Sequence, residues 1–430
     1  MTVSVRSVMV EDRRQVAARA FRPKRLFGLT VVLALAALIA RRPEIITRAE
    51  FYAEDGRVFF LGTWFGSPLD VLLRPYNGYL HLVPRTVGLL ERLVPIQSAP
   101  LLGNFIALLI VALVAGFLAS DRMAPLLPDR RARLAAAVGF VLLPASQETL
   151  GSITFIQAYL VVFLVAVGFA ATPRTRTWRA VETVAVAVSA LSTPIAIVLV
   201  PLHWVRVRRF GRGALGPAVA VTAAAAVQLA ILAASRSPAA APADLPLFAQ
   251  ASILRLIVEP FGGATWTWLA IDAAVPGWVG ITAVILIAGL LALSVAALDR
   301  WAALALLSAT WAVGVLGIVR SSDASGWLLD PFLLQRYFVP AGWAAVVIMA
   351  SGLFARSNAI RRTALVLAVC FVAGATADLR LPARPDLGWA AASRCIGGPT
   401  PCVVPVFPLD AFSIHWPGPG GPYVQGDWTQ

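Results

Sequence analysis

The chain has 430 residues, of which 59% are apolar and only 13% charged, and its mean hydropathy is +0.79. So little polar surface cannot coat a water-soluble globule, which makes lipid the solvent of most of the chain. The net charge of +14 does not point to nucleic acid, because the arginines fall in short clusters between apolar runs, the positive-inside pattern of a multi-pass membrane protein.

Residues 1–25 form a basic segment carrying Arg13, Arg14, Arg19, Arg22, Lys24 and Arg25. The apolar run after it ends at Arg41-Arg42-Pro43-Glu44 without a small-residue cleavage site, so it is predicted to be a retained first span. Runs able to cross about 30 Å of hydrocarbon follow at 100–119, 133–147, 153–171, 214–235, 278–298, 301–319, 338–354 and 362–378. Each is predicted helical, because backbone amides in lipid are satisfied only within the segment or a closed sheet.

Arg122 with Arg130, Arg131 and Arg133, then Arg174 with Arg176 and Arg179, then Arg206 with Arg208, Arg209 and Arg212 mark successive cytoplasmic loops. Arg300 and the group Arg356, Arg361 and Arg362 continue the series. Residues 181–205 are apolar yet flanked by arginines on both sides, and Ser192-Thr193-Pro194 supplies a break. Two short helices turning back on themselves are predicted there, a single kinked span being the alternative.

The expected fold is therefore an all-α polytopic transmembrane helical bundle over 26–378, with about nine full spans plus a short helical hairpin. The cytoplasmic (inner) membrane of a bacterium is the expected location, with the N-terminus cytoplasmic and the C-terminus outside. The first outer loop, 44–98, is expected to carry short surface helices, and 379–430 forms an outer tail. Cys395 and Cys402 in that tail close a small loop and are expected to be oxidised outside the cytoplasm. Cys370, inside the last span, is read as a small packing residue.

Four constellations fall on the outer side of this threading, where they can face one cavity. In Phe51-Tyr52-Ala53-Glu54-Asp55-Gly56, two carboxylates beside aromatics offer a base whose desolvation raises its pKa; an Asp-Gly turn or helix cap is the structural alternative. Tyr76-Asn77-Gly78-Tyr79-Leu80-His81 leads into Pro84-Arg85, and helical spacing places His81 and Arg85 on one face. Arg85 there either binds a phosphate or merely snorkels. Glu148, with Gln157 further on, puts polar groups at a membrane boundary, which reads as a functional site or as a helix cap. Gln335-Arg336-Tyr337 starts another span, where Arg336 either holds a lipid phosphate bidentately or anchors the interface.

The chain lacks a P-loop, a Gly-x-Gly-x-x-Gly fingerprint and a His-Glu-x-x-His motif, so a nucleotide-driven pump and a zinc protease lack their minimum equipment. His81, His203 and His415 are scattered, and no metal site or cofactor is predicted.

The layout, together with Ala53-Glu54-Asp55-Gly56, Asn77-Gly78-Tyr79-Leu80, Pro84-Arg85, Glu148 with Gln157, and Arg336-Tyr337, resembles the GT-C superfamily of membrane glycosyltransferases, and more narrowly a bacterial group near it. That resemblance implies transfer of a sugar from a polyprenyl-phosphate donor to a hydroxyl of a glycan or glycolipid acceptor on the outer face. It further implies that Asp55, with Glu54 as alternative, acts as general base. Arg336, Arg85 and Tyr337 are then candidates for the donor phosphate, and His81, Tyr79, Asn77, Glu148 and Gln157 for substrate contacts. The carboxylates are adjacent and not spaced as Asp-x-Asp or Glu-x-Asp, a departure from the metal-using pattern. A transporter or flippase of a lipid-linked substrate is the main alternative, and a polysaccharide polymerase or ligase another.

Overall fold

A computed structural model describes residues 23–235, 245–272, 277–320, 328–379, 383–408 and 412–421. Nearly all of the basic segment 1–25 lies outside these residues. The described chain is all-α apart from one two-stranded sheet in the tail.

In chain order, α1 is Pro23–Arg41, and three helices of the 44–98 segment follow: α2 (Glu44–Thr47), α3 (Pro68–Leu73) and α4 (Leu82–Glu91). Then come α5 (Ala99–Ala119), α6 (Arg130–Val141), α7 (Gln157–Phe169), α8 (Arg176–Ala190), α9 (Ala196–Phe210) and α10 (Leu215–Ala234). The second half holds α11 (Leu245–Ile253), α12 (Glu259–Asp272), α13 (Gly277–Ala297), α14 (Arg300–Arg320), α15 (Val339–Leu353), α16 (Asn358–Asp378) and α17 (Trp389–Ala392). Strands β1 (Cys402–Val406) and β2 (Phe412–Trp416) pair antiparallel.

Among the described residues six helical runs are long and apolar enough to cross a membrane, which makes the chain multi-pass: Ile96–Ala119, Ala196–Ala234, Leu245–Leu269, Gly277–Ala297, Arg300–Val319 and Asn358–Asp378. Three apolar helices, Leu26–Arg41, Gln157–Phe169 and Val339–Leu353, are shorter. This corrects the expected count of about nine full spans. The run at 133–147 is helical only to Val141, because Pro144 and a left-handed Ala145 (φ 50°) stop it; its 12 residues rise about 18 Å. The run at 153–171 spends its first residues in a loop and becomes α-helical at Gln157.

The break expected in 181–205 is present: α8 and α9 are separate helices joined across Leu191 to Ile195. Gly211 (φ 73°, ψ −162°) then turns the chain back so that α10 packs against both. The apolar run Ala196–Ala234 is thus two helices and not one long one.

The arginine clusters gather at one end of the bundle. There Glu182 of α8 pairs with Arg122 and, at 2.8 Å, with Arg206 of α9, while Arg122 and Arg206 donate to the carbonyls of Ala171 and Ala170 that end α7. Asp121 pairs with Arg133 at 2.6 Å. The opposite end carries the 44–98 segment, the 191–195 turn and the tail. Val83 N donates to Ser192 Oγ at 2.9 Å, and buried Gln228 of α10 bonds both backbone groups of Leu80.

Leu29, Val32 and Leu33 of α1, Val284 and Ile285 of α13, and Leu365, Val366, Val369 and Val372 of α16 all face outward. Such apolar exteriors are stable in lipid and not in water. Cys370 shares that exposed face of α16, so it is not the packing residue expected.

Where α12 and α16 cross, small residues let the backbones touch. A Cβ on Gly374 would lie 2.2 Å from the carbonyl oxygen of Phe261, and backbone cannot yield as a side-chain tip can. Gly374→Ala is therefore expected to cost about 1–3 kcal/mol through overpacking, read as a lower melting temperature of the purified protein in detergent; an unchanged melting temperature would contradict the close crossing.

Candidate active site

The first acidic pair sits where the backbone is forced. Ala53 is left-handed (φ 52°) and donates its N–H to Phe407 O of the tail at 2.7 Å, after which Asp55–Phe60 winds as a π-helix. A π-helical turn in a short segment often marks function. The sharp entry sends the adjacent carboxylates in different directions.

Asp55 is fully enclosed and accepts four hydrogen bonds from one loop: Ser152 Oγ (3.1 Å), Ile153 N (3.3 Å), Thr154 N (2.8 Å) and Thr154 Oγ1 (2.5 Å). Burial pushes its carboxyl up to about 6, and the donors of Thr154 and Ser152 oppose that. An acceptor-only carboxylate matches four donors, so Asp55 fastens the 152–155 loop to the π-helix.

Glu54 is also buried, though less completely, and its Oε2 has no hydrogen-bond partner among the described residues. Burial pushes its carboxyl up to about 7, with Arg336 pulling the other way and Asp55 and Glu148 adding to the rise. A carboxyl near neutrality with no donor on one oxygen is better placed to take a proton from a substrate than one that already accepts four hydrogen bonds.

Arg336 stands beside it on the single 3-10 turn Gln335–Tyr337 that precedes α15. Its Nη1 donates to Glu148 Oε1 at 2.7 Å, and its backbone N to Glu148 Oε2 at 3.3 Å. Its guanidinium lies over the rings of Phe155 (4.7 Å) and Tyr337 (4.9 Å). The Glu148 N–H in turn donates to Gln335 Oε1 at 2.8 Å. With its side chain 27% exposed, Arg336 is a fixed cation reachable from outside.

Tyr76-Asn77-Gly78-Tyr79 closes as a tight hairpin with positive φ at both central residues (51° and 81°), the conformation that Asn-Gly favours. Asn77 thus serves the turn and is exposed. Tyr79 reaches Gln157 Oε1 through its hydroxyl (3.0 Å) and stacks on His81 (4.1 Å). His81 is enclosed by Tyr76, Tyr79 and Phe59, and burial with the neighbouring Arg85 pushes its imidazole down to about 3, so it stays neutral. Arg85 is wholly buried, donating to Val58 O at 2.8 Å and lying over Phe59. These two brace the π-helix from behind, whereas Glu54, Glu148, Gln157, Arg336 and Tyr337 come together with Tyr79.

Four residues escape the sequence reading. Arg384 donates to the carbonyls of Gln147 and Leu150 (2.9 Å each) and covers the ring of Tyr52 at 4.1 Å. Asp378, at the end of α16, accepts from Ala145 N (2.6 Å), Ala264 N (3.1 Å), Thr265 N (3.1 Å) and Thr265 Oγ1 (2.9 Å), tying the 145–150 loop to α12. Arg255 pairs with Glu259 at 2.7 Å and holds the carbonyls of Asp330 and Leu333, which fixes the approach to Arg336. An arginine and a glutamate four apart inside an apolar run were the signal for that pair.

The non-glycine residues with left-handed backbone among those described are Ala53, Asn77, Ala145 and Leu334. Each lies one to four residues before a candidate group, namely Glu54, Tyr79 with His81, Glu148, and Arg336. Each such residue costs on the order of 1–3 kcal/mol, and strain of this kind gathers where a site must be held rigid.

In the tail, Cys395 and Cys402 form a disulfide with Cα atoms 6.3 Å apart. The hairpin they anchor packs Val404, Val406, Ile414 and Trp416 against Phe51, Phe60 and Leu61 of the 44–98 segment. The tail thus closes over the acidic pair. No protein-family model matches the chain, and no curated protein matches it in sequence.

Proposed function

We propose that the chain is a membrane glycosyltransferase that moves a sugar from a polyprenyl-phosphate donor to an acceptor hydroxyl on the outer face of a bacterial cytoplasmic membrane. The observation that carries this reading is the open, buried carboxyl of Glu54 beside a fixed guanidinium at Arg336. A base and a phosphate-binding cation at one point are the minimum equipment for displacing a phosphate with an alcohol.

In the reaction the acceptor oxygen attacks the anomeric carbon, and its proton passes to Glu54. The bond from that carbon to the phosphate oxygen breaks from the opposite side, inverting the configuration, and the charge left on the lipid phosphate meets Arg336. Glu148 holds that guanidinium until the phosphate arrives, and the five N–H donors of arginine leave capacity for both. Asp55 positions and does not react: it keeps the 152–155 loop, and with it Phe155 beneath Arg336, in register.

The test is transfer of label from short-chain prenyl-phosphate sugars by purified protein in lipid nanodiscs; a chain that neither binds nor consumes such donors sinks the reading. Arg336→Ala is expected to weaken a short-chain prenyl-phosphate analogue by about 2–4 kcal/mol, and Arg336→Lys by less, since an ammonium keeps the charge without the planar fork. Unchanged affinity in Arg336→Ala would return the residue to an anchoring role.

A further inference from the structure

At the arginine-rich end of the bundle two chain segments lie side by side: residues 171–176, which lead into α8, and residues 208–213, which turn from α9 into α10. Arg206 Nε donates to the carbonyl of Ala170 at 2.9 Å, and a Cβ on Gly213 would meet Thr172 at 3.4 Å.

The exposed charges of these segments are all of one sign. Arg174 and Arg176 on the first, with Arg208, Arg209 and Arg212 on the second, are exposed, and none has a carboxylate partner among the described residues. Glu182 is the single acid between Phe169 and Ser235, and it is buried and already paired with Arg122 and Arg206. Arg133, by contrast, finds its acid within the protein at Asp121. Helix dipoles do not balance the five either: that of α9 favours Arg208 and Arg209 in its last turn, but that of α8 opposes Arg176 in its first. Like charges so gathered repel one another until an anion is supplied from outside.

The flanks say which kind of anion. Trp178 and Trp204 are exposed beside the arginines, Trp204 one helical turn, or about 6 Å, before Arg208. Val181 and Val184 of α8, Val198 of α9 and Val219 of α10 face outward as well. Tryptophan between a basic rim and an apolar wall is the arrangement of a membrane–water interface, with lipid headgroups level with the rim. Guanidiniums there meet phosphodiesters, which they bind through two parallel N–H bonds. A soluble polyanion would leave the apolar wall uncovered.

We propose that this face of α8, α9 and α10 is a docking surface for anionic phospholipid, its five arginines seated among the phosphates of the adjoining leaflet. It lies at the other end of the bundle from the 44–98 segment, so it stands or falls independently of the transfer reading.

The test is a titration of purified protein in neutral detergent with short-chain phosphatidylglycerol and phosphatidylcholine, read by native mass spectrometry. The wild type is expected to bind the anionic lipid about ten-fold or more tightly than the zwitterionic one. An arginine near an anionic surface is worth about five-fold, so Arg208→Gln/Arg209→Gln/Arg212→Gln should weaken phosphatidylglycerol by something on the order of a hundred-fold and leave phosphatidylcholine unchanged. Arg361→Gln/Arg362→Gln, on exposed arginines of α16, should change neither. In detergent without lipid the triple variant should melt no lower than the wild type, because none of its three arginines holds a carboxylate within the protein. Equal affinity of the wild type for both lipids would overturn the surface, as would phosphatidylglycerol binding that survives the triple substitution or an equal loss in the α16 variant. Displacement of the lipid by free glycerophosphate at matching concentration would make it a soluble-anion site instead, and a lower melting temperature in the triple variant would make the arginines structural.

Discussion

Glu54→Gln is expected to lower sugar transfer by about 10²–10⁴, the usual weight of a general base, while leaving fold and donor binding intact. The amide keeps the shape of the carboxyl but takes no proton at neutral pH. In the wild type the rate should rise with pH through about 7, where Glu54 loses its proton. Stability moves the other way. Burial raises the Glu54 carboxyl above the ordinary 4.5, so the stabilising preference for its neutral form is complete below about 4.5 and is lost as pH rises through about 7. Glu54→Gln should remove both dependences together. A turnover in Glu54→Gln within a few-fold of wild type would exclude Glu54 as the base.

The acidic pair is plain in the sequence, and the different surroundings of its two carboxylates are not. Glu54 and Asp55 are neighbours with similar chemistry, and what separates them is a left-handed Ala53 followed by a π-helical turn, which no hydrophobic period announces. The partners of Asp55 lie nearly a hundred residues away, in a loop that composition alone reads as the start of a span. That also explains the span count. Residues 142–156 are apolar enough to be counted as lipid-facing helix, yet they form a loop whose backbone is satisfied by Asp55, Asp378, Gln335 and Arg384. Irregular backbone at such depth is stable only when protein groups replace the missing helical bonds.

The arginine clusters and the Ser192-Thr193-Pro194 break were legible because each acts locally. Arg336 with Glu148 was legible only as two separate polar points at one boundary. Their ion pair joins positions 188 residues apart, and pairing over that distance is decided by packing of the bundle, not by any local pattern.

Asp55→Asn is expected to act on stability, and this separates the two carboxylates most sharply. Asp55 gathers two backbone N–H groups and two hydroxyls, all buried. An asparagine offers one acceptor oxygen and turns an NH₂ group toward donors, so at least one buried N–H loses its partner. Hydrogen bonds to a charged group contribute about 1.5–3 kcal/mol each, and an orphaned buried donor costs about 1–3 kcal/mol more. A loss of several kcal/mol, seen as a lower melting temperature in detergent, follows. Whatever transfer survives in Asp55→Asn should keep a single pH midpoint, since Glu54 still takes the proton, displaced below about 7 because the charge of Asp55 no longer raises the Glu54 carboxyl; loss of the base would leave no such midpoint. Ser152→Ala and Thr154→Val, which remove hydroxyl donors from the same carboxylate but keep its charge, should reproduce a smaller part of the stability loss with the midpoint still near about 7. An Asp55→Asn protein that melts like the wild type yet transfers nothing would reverse the assignment, making Asp55 the base and Glu54 its neighbour.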